Sequence, residues 1–292
     1  MPTLAQAITE GARRLRASWV DEERRTAGLL LCHVLQIDRT HLLTKAQKEI
    51  DEPSYHRYLE LVERRAAGEP LQYITGHQEF YGLDFIVTPE VLIPRPETEF
   101  LVERVVEIAK ELSEESPLIA DVGTGSGCVA VAVAVHIPRA RVIATDISEA
   151  AIEVARRNAE RHGVIDRVQF LIGDLLKPFA ERRLQDAIGV LASNPPYVDR
   201  DESKLIQRGV RNWEPHAALF GGAGGLEFHR RLITDGFEYA KPGGYLAFEI
   251  GYGQLDAISE MIAESPWKLV DVTRDLQGIP RTLTVRKLDG HE

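Results

Sequence analysis

Cysteine is nearly missing from this chain: Cys32 and Cys128 are the only two, far apart and each inside an apolar helical pattern. That excludes a disulfide-stapled scaffold and suits free, buried thiols in a reducing compartment. Neither the cysteines nor the nine scattered histidines show metal-ligand spacing, so no metal is expected. No apolar run approaches the ~20 residues that cross a bilayer. The opening stretch "MPTLAQAITEGARRLRASW" also lacks the apolar core of a secretory signal. A cytoplasmic protein without membrane contact is therefore expected. A basic stripe is lacking too: the net charge is −10, with Lys and Arg interspersed among Asp and Glu. This weighs against a protein whose affinity comes from nucleic-acid phosphates, and no direct nucleic-acid partner is expected.

What is present reads as ordinary globular protein, 44% hydrophobic and 27% charged over 292 residues, long enough for two cores. Residues 1–70 read as helices. Ala27, Leu30, Leu31, Val34 and Leu35 fall on one helical face, with Asp21 as a candidate cap, and a further helix is expected from Pro53 to Ala67, ended by Gly68. Residues 71–96 hold short β-rich pieces around Gly76 and Gly82, which suggest a hairpin, then a cluster of Pro89, Pro94 and Pro96. A helix is expected from about Glu97. From Leu118 onward, "LIADV", "RVIATD", "RVQFLIGD", "AIGVLASN", "GGYLAFEIG", "KLVDVTRD" and "RTLTVRKL" read as strands, the first few separated by helical patterns. Such alternation implies an α/β fold with a mostly parallel sheet and ligands at the carboxyl ends of its strands; the closing pair could add an antiparallel edge.

Three strand ends carry the candidate chemistry. After the first comes "DVGTGSG", in which Gly123, Gly125 and Gly127 permit a tight strand-to-helix turn and a close approach of ligand to backbone. The G-x-G-x-G spacing is neither the dinucleotide fingerprint nor a P-loop. The second strand ends in Asp146, about 20 positions beyond Gly123, the separation at which an acid accepts hydrogen bonds from ribose hydroxyls. Together they imply a nucleoside-containing cofactor; the alternative is an acid that merely caps the next helix. Asp174 ends the third strand similarly, and the adjacent Leu175 is a candidate apolar cover for a base. The fourth ends in "NPPY". Pro195 and Pro196 fix the backbone and add no donors, Asn194 adds a side-chain carbonyl, and Tyr197 a flat ring. That set suits a planar nitrogen such as an amide or an amino-purine.

"NPPY" downstream of a glycine loop and an acid resembles the amino-methyltransferases that use S-adenosylmethionine, with a class I, Rossmann-like, seven-stranded fold. The blocks "GEPLQYITGHQEFYGLDFIV", "VLIPRPETEFLVE", "EPHAALFGGAGGLEFHRRLI", "PGGYLAFEIG" and "RDLQGIPR" resemble, in order and over nearly the whole chain, the PrmC or HemK family of protein-(glutamine-N5) methyltransferases. The resemblance implies a chain that methylates the glutamine of the Gly-Gly-Gln tip of class 1 peptide chain release factors. It implies S-adenosyl-L-methionine as methyl donor and S-adenosyl-L-homocysteine as product. By the same resemblance, Gly123, Thr124, Gly125, Ser126 and Gly127 hold the methionine part of the cofactor. Asp146 holds its ribose, and Leu175 lies beside adenine, where many family members carry an aromatic residue. Asn194 binds substrate and borders the cofactor, and Pro195, Pro196 and Tyr197 complete the glutamine pocket, with Asn194, Pro195 and Tyr197 catalytic.

Arg95 and Glu97 match the family signature but can equally anchor the helix that follows. The division expected is a helical substrate-docking domain over 1–70, a hairpin and proline-rich connector over 71–96, and the methyltransferase domain over 97–292, acting as a monomer. The rival readings are an N6-adenine methyltransferase using the same pocket for a flipped base, and a cofactor-binding scaffold without catalysis.

Overall fold

The computed structural model describes residues 1–202 and 208–288. The chain folds into two compact units, residues 1–77 with the later helix Arg208–Trp213, and the remainder.

The first unit is helical: α1 (Leu4–Ala17), α2 (Glu23–Leu35), α3 (Arg39–Thr44), α4 (Glu52–Ala66) and α5 (Leu71–Thr75). Helix α1 begins in a capping box in which the Thr3 side chain accepts from the Gln6 N–H and the Gln6 side chain returns the bond to the Thr3 backbone. Asp51 caps α4 by accepting from the Ser54 N–H. The expected cap at Asp21 is not used: α2 starts at Glu23, after Glu22 in a left-handed conformation that makes no side-chain cap bond. One apolar stripe of each long helix is buried, with Leu4, Leu15, Leu30, Leu31, Tyr58 and Val62 at the centre. Gly11 lets α1 meet α4 closely, because a Cβ there would lie 1.9 Å from Tyr58 Oη. The two cysteines are free thiols and half-buried, rather than fully buried as their apolar surroundings suggested.

The second unit opens with the hairpin β1 (His77–Phe80) and β2 (Leu83–Ile86), whose Phe80 and Phe85 enter its core. Then follow α6 (Thr98–Glu111), β3 (Leu118–Val122), α7 (Cys128–His136), β4 (Arg141–Asp146), α8 (Glu149–Arg161), β5 (Val168–Ile172), α9 (Lys177–Glu181) and β6 (Ile188–Ser193). The helix α10 (Arg208–Trp213) belongs to the first unit. After it come α11 (His216–Leu219), α12 (Glu227–Tyr239), β7 (Ala240–Glu249), α13 (Leu255–Ala263), β8 (Trp267–Arg274) and β9 (Pro280–Lys287).

The seven large-sheet strands lie in the order β5-β4-β3-β6-β7-β9-β8. Alternate residues face opposite ways along a strand, so each central strand feeds two cores. Val142 and Ala144 join one with α6, α7 and α8, while Ile143 joins the other with α9, α12 and α13. Every residue of β6 is buried, as a strand covered on both faces requires. The antiparallel strand is β9, inserted between β7 and β8, so the edge strand β8 runs parallel to the rest. That differs from an antiparallel edge: a strand's sequence carries its length and faces but not its place in the order.

The order also sets the site. From β3 the chain winds outward through β4 and β5, then returns to β6 on the other side of β3. A crevice therefore opens at this switch point, beyond the carboxyl ends of the strands. Val122 is registered against Thr145, and Asp121 against Ala192. One or two residues further along these three strands stand Gly123, Asp146 and Asn194.

Candidate active site

The glycine loop is fastened from below. The N–H groups of Gly123 and Thr124 both donate to the Thr145 carbonyl, at 2.9 and 2.8 Å. The buried Asp121 Oδ2 accepts from Thr124 Oγ1 at 2.6 Å and from the Ala130 N–H at 3.0 Å, tying the loop to the first turn of α7. Gly127, at φ +80°, packs so close to α8 that a Cβ would meet Ala155 Cβ at 2.9 Å. At Gly123 and Gly125, by contrast, φ is also positive but a Cβ would meet nothing within 4 Å. These two leave bare backbone facing open space, which is a cradle for a ligand.

Burial pushes the Asp121 carboxyl up to about 6, although its two hydrogen bonds pull the other way. An acid whose pKa is raised on folding stabilises the native state fully only below its unfolded pKa, and that stability is lost as the pH rises through about 6. At roughly 1.4 kcal/mol per unit the swing is about 3 kcal/mol. Relative to wild type, Asp121→Asn is expected to gain stability as the pH is raised from 4 to 7. Thermal melts at the two pH values check this; an unchanged difference would refute it.

Asp146 sits beside the loop with both oxygens engaged: Oδ2 accepts from the Gly125 N–H and Oδ1 from the Ser148 N–H, each at 2.9 Å. Burial raises its pKa, and these N–H donors counter the shift. Each oxygen keeps a further lone pair for a ligand hydroxyl. Leu175 holds φ +51°, a costly conformation for leucine, with its carbonyl accepting from Thr145 Oγ1 at 3.1 Å. The neighbouring Asp174 pairs with Lys177 and Arg231, which hold its carboxyl below the usual range.

One cleft of about 970 Å³ collects Gly123, Gly125, Asp146, Leu175, Asn194 and Pro196, and is lined also by Phe220, Phe228 and Arg231. A small recess is lined by Thr124, Ser126 and Arg95, again with Gly123, Gly125 and Asn194. Pro195, Tyr197 and Gly127 line neither. Gly127 packs on α8 as above, and Tyr197 is held instead through its hydroxyl, which donates to Glu249 Oε1 at 3.0 Å.

Two groups that sequence reasoning passed over stand behind "NPPY". Asn194 Nδ2 donates to Thr98 Oγ1 at 2.9 Å, and Thr98 Oγ1 donates to Glu249 Oε2 at 2.7 Å. Thr98 and Glu249 are each 1% exposed. Burial drives the Glu249 carboxyl up to about 7 against the pull of Thr98 and Tyr197, with Glu97 raising it further and Arg281 lowering it. Glu249 lies within "FEIG", whose only visible signal was an acid in an apolar strand. Arg95 pairs at 2.5 Å with the buried Glu214, which also accepts from the Ile93 N–H at 3.1 Å, so the proline segment is bound to the "EPHAALFGG" block. Glu97 sits at the start of α6 without a side-chain cap bond.

Comparison with known proteins gives two matching family models: the PrmC N-terminal domain over residues 6–76 and the methyltransferase small domain over residues 97–214. A release factor glutamine methyltransferase of Koribacter versatilis is 44% identical over 286 residues, covering 98% of this chain and 99% of that protein. Its counterpart in Moorella thermoacetica is 44% identical over 259 residues, 89% of each. Among solved structures, the N-terminal domain of human METTL16 aligns at a TM-score of 0.54 with 16% identity, covering 93% of this chain and 97% of that one. A methyltransferase from Pyrococcus furiosus aligns at 0.51 with 20% identity, covering 80% and 98%. These structural likenesses speak to the methyltransferase fold.

Proposed function

The chain belongs to the PrmC family of release factor glutamine methyltransferases, and from that premise we propose that it methylates the side-chain nitrogen of the Gly-Gly-Gln glutamine in class 1 release factors. The observation that carries the site assignment is the convergence of Asn194 with Gly123, Gly125 and Asp146 in one cleft.

The residues fit S-adenosyl-L-methionine. Bare backbone at Gly123 and Gly125 suits its methionine part, with Thr124, Ser126 and Gly127 shaping the loop, Asp146 has lone pairs for a ribose, and Leu175 offers an apolar face to adenine. When bound, that cofactor supplies an electrophilic methyl on a sulfonium.

An amide nitrogen is a poor nucleophile, since its lone pair is delocalised into the carbonyl. The pocket's task is to aim it and to stabilise the charge it acquires. Asn194 Oδ1, from a residue that lines the cleft, accepts one amide hydrogen; the Pro195 carbonyl, which borders neither cavity, is assigned the other by the family resemblance. Fixed dipoles then stabilise positive charge developing on nitrogen, the inverse of an oxyanion hole. Pro195 and Pro196 keep the carbonyls free of local donors, and the ring of Tyr197 closes the motif. Glu249 faces Thr98 and Tyr197 rather than the cleft, so no carboxylate is assigned as a base, and the extra proton on nitrogen passes to solvent water after transfer. Incubation with methyl-labelled S-adenosylmethionine and, separately, release factor, DNA and ribosomal RNA tests the reading. Label entering release factor is expected; label entering nucleic acid alone would sink it.

The helices of residues 1–70 are assigned to docking the release factor, because a Gly-Gly-Gln tip offers far less than the ~800 Å² per partner of a stable interface. A short Gly-Gly-Gln peptide should then show a much lower kcat/KM than intact release factor. Equal values would reject a docking role. The net charge of −10 supports a protein rather than a nucleic-acid partner. A cytoplasmic monomer without a metal completes the proposal, in line with a family that acts on a translation factor.

A further inference from the structure

Behind the acceptor pocket runs a chain of hydrogen bonds whose direction is set by the ionised form of Glu249. Glu249, when ionised, can only accept, and it does so from Thr98 Oγ1 at one oxygen and from Tyr197 Oη at the other. Thr98 has a single proton. With that proton committed to Glu249, its oxygen meets Asn194 as an acceptor, and Asn194 must turn its NH2 group toward α6.

The backbone that carries this carboxylate is held in place. Its backbone carbonyl accepts from Nε2 of the buried His229 on α12 at 2.9 Å, and its residue is registered against Thr282 of β9. Thr98 opens α6, so strand, helix and motif are locked through one side chain.

An asparagine amide is nearly symmetric in shape, and its two ends exchange by rotation about the last side-chain bond. Only one orientation offers the cleft an oxygen. The other would set an NH2 donor against the NH2 of the substrate glutamine. We infer that Thr98 and Glu249 are positioning residues for methyl transfer, which hold Asn194 with its oxygen toward the substrate and fix Tyr197 from the same carboxylate. This rests on the functional reading above, and it assigns these two residues no contact with substrate or cofactor.

The size of the effect follows from the alternative. With valine in place of Thr98, the Asn194 NH2 would face a methyl group in a buried site and the bond that orients it would be gone. Either end of the amide would meet the same methyl group, so the preference for the competent orientation is lost and about half of the molecules would present the oxygen at any moment, none of them held. Thr98→Val is expected to lower kcat about two- to fivefold, while Thr98→Ser, which keeps the hydroxyl, restores it and both variants bind S-adenosylmethionine as wild type does.

A double-mutant cycle with Asn194→Ala, read in single turnovers at high enzyme concentration, separates positioning from general support of the fold. Thr98→Val should cost nothing further in the Asn194→Ala background, since there is no amide left to orient. The same loss in both backgrounds, no loss in the wild-type background, or failure of Thr98→Ser to restore turnover would overturn the inference while leaving the functional reading intact. A wild-type enzyme that labels no release factor would overturn both.

Discussion

Asn194→Ala is expected to lower the turnover of release factor methylation about 10²- to 10³-fold, the loss that follows removal of one preorganised partner from a transition-state site. The alanine removes the side-chain oxygen that aims the glutamine nitrogen and faces its developing charge, and only the Pro195 carbonyl remains to do so. The variant should stay folded, because Asn194 is only partly buried and the β6 register holds without its side chain. Cofactor affinity should change little, as Asp146 and the glycine loop are untouched. Stopped single turnovers with saturating cofactor measure the effect directly. Near-normal turnover in a folded, cofactor-binding Asn194→Ala protein would remove Asn194 from the mechanism.

The second large effect is on binding. Asp146→Ala should weaken S-adenosylmethionine about 10²-fold or more, with a smaller effect on kcat at saturation. A hydrogen bond to a charged group contributes roughly 1.5–3 kcal/mol, and a ribose diol offers two of them. The carboxylate also receives the N–H groups of Gly125 and Ser148, so its loss loosens the loop that cradles the rest of the cofactor. Asp146→Asn retains one acceptor in the same shape and should fall between the two. Calorimetric titration of the three proteins gives the series; equal affinities would show that Asp146 only ties Gly125 and Ser148.

Much of this arrangement is legible in the sequence because it is local. "AIGVLASN" is an apolar run closed by prolines, and β6 occupies Ile188–Ser193 within it. Gly68, at positive φ, stands just past the end of α4, where a helix stop is expected. The meeting of the glycine loop, Asp146 and Asn194 is also readable, since alternating strands and helices force a parallel sheet whose carboxyl ends lie side by side.

The remainder depends on distance along the chain. Thr98 and Glu249 are 151 positions apart, and no periodicity connects them. Asp21 has the chemistry of a cap but stands too far from the true start of α2, where Glu22 takes a left-handed conformation. The place of β9 inside the sheet comes from pairing, since its own pattern fits an edge equally well. Tyr197 shows most clearly what sequence leaves out. Its ring suggested a flat surface for the substrate, whereas the structure adds a hydroxyl tied to the same carboxylate that steers Asn194.

The most direct test combines the enzyme, methyl-labelled S-adenosylmethionine and an intact class 1 release factor, followed by peptide mapping of the label by tandem mass spectrometry. A methyl on the side-chain nitrogen of the Gly-Gly-Gln glutamine is the expected result, absent when that glutamine is replaced. A methyl on any other residue, or retention of labelling after the replacement, would contradict the assignment of glutamine as the acceptor.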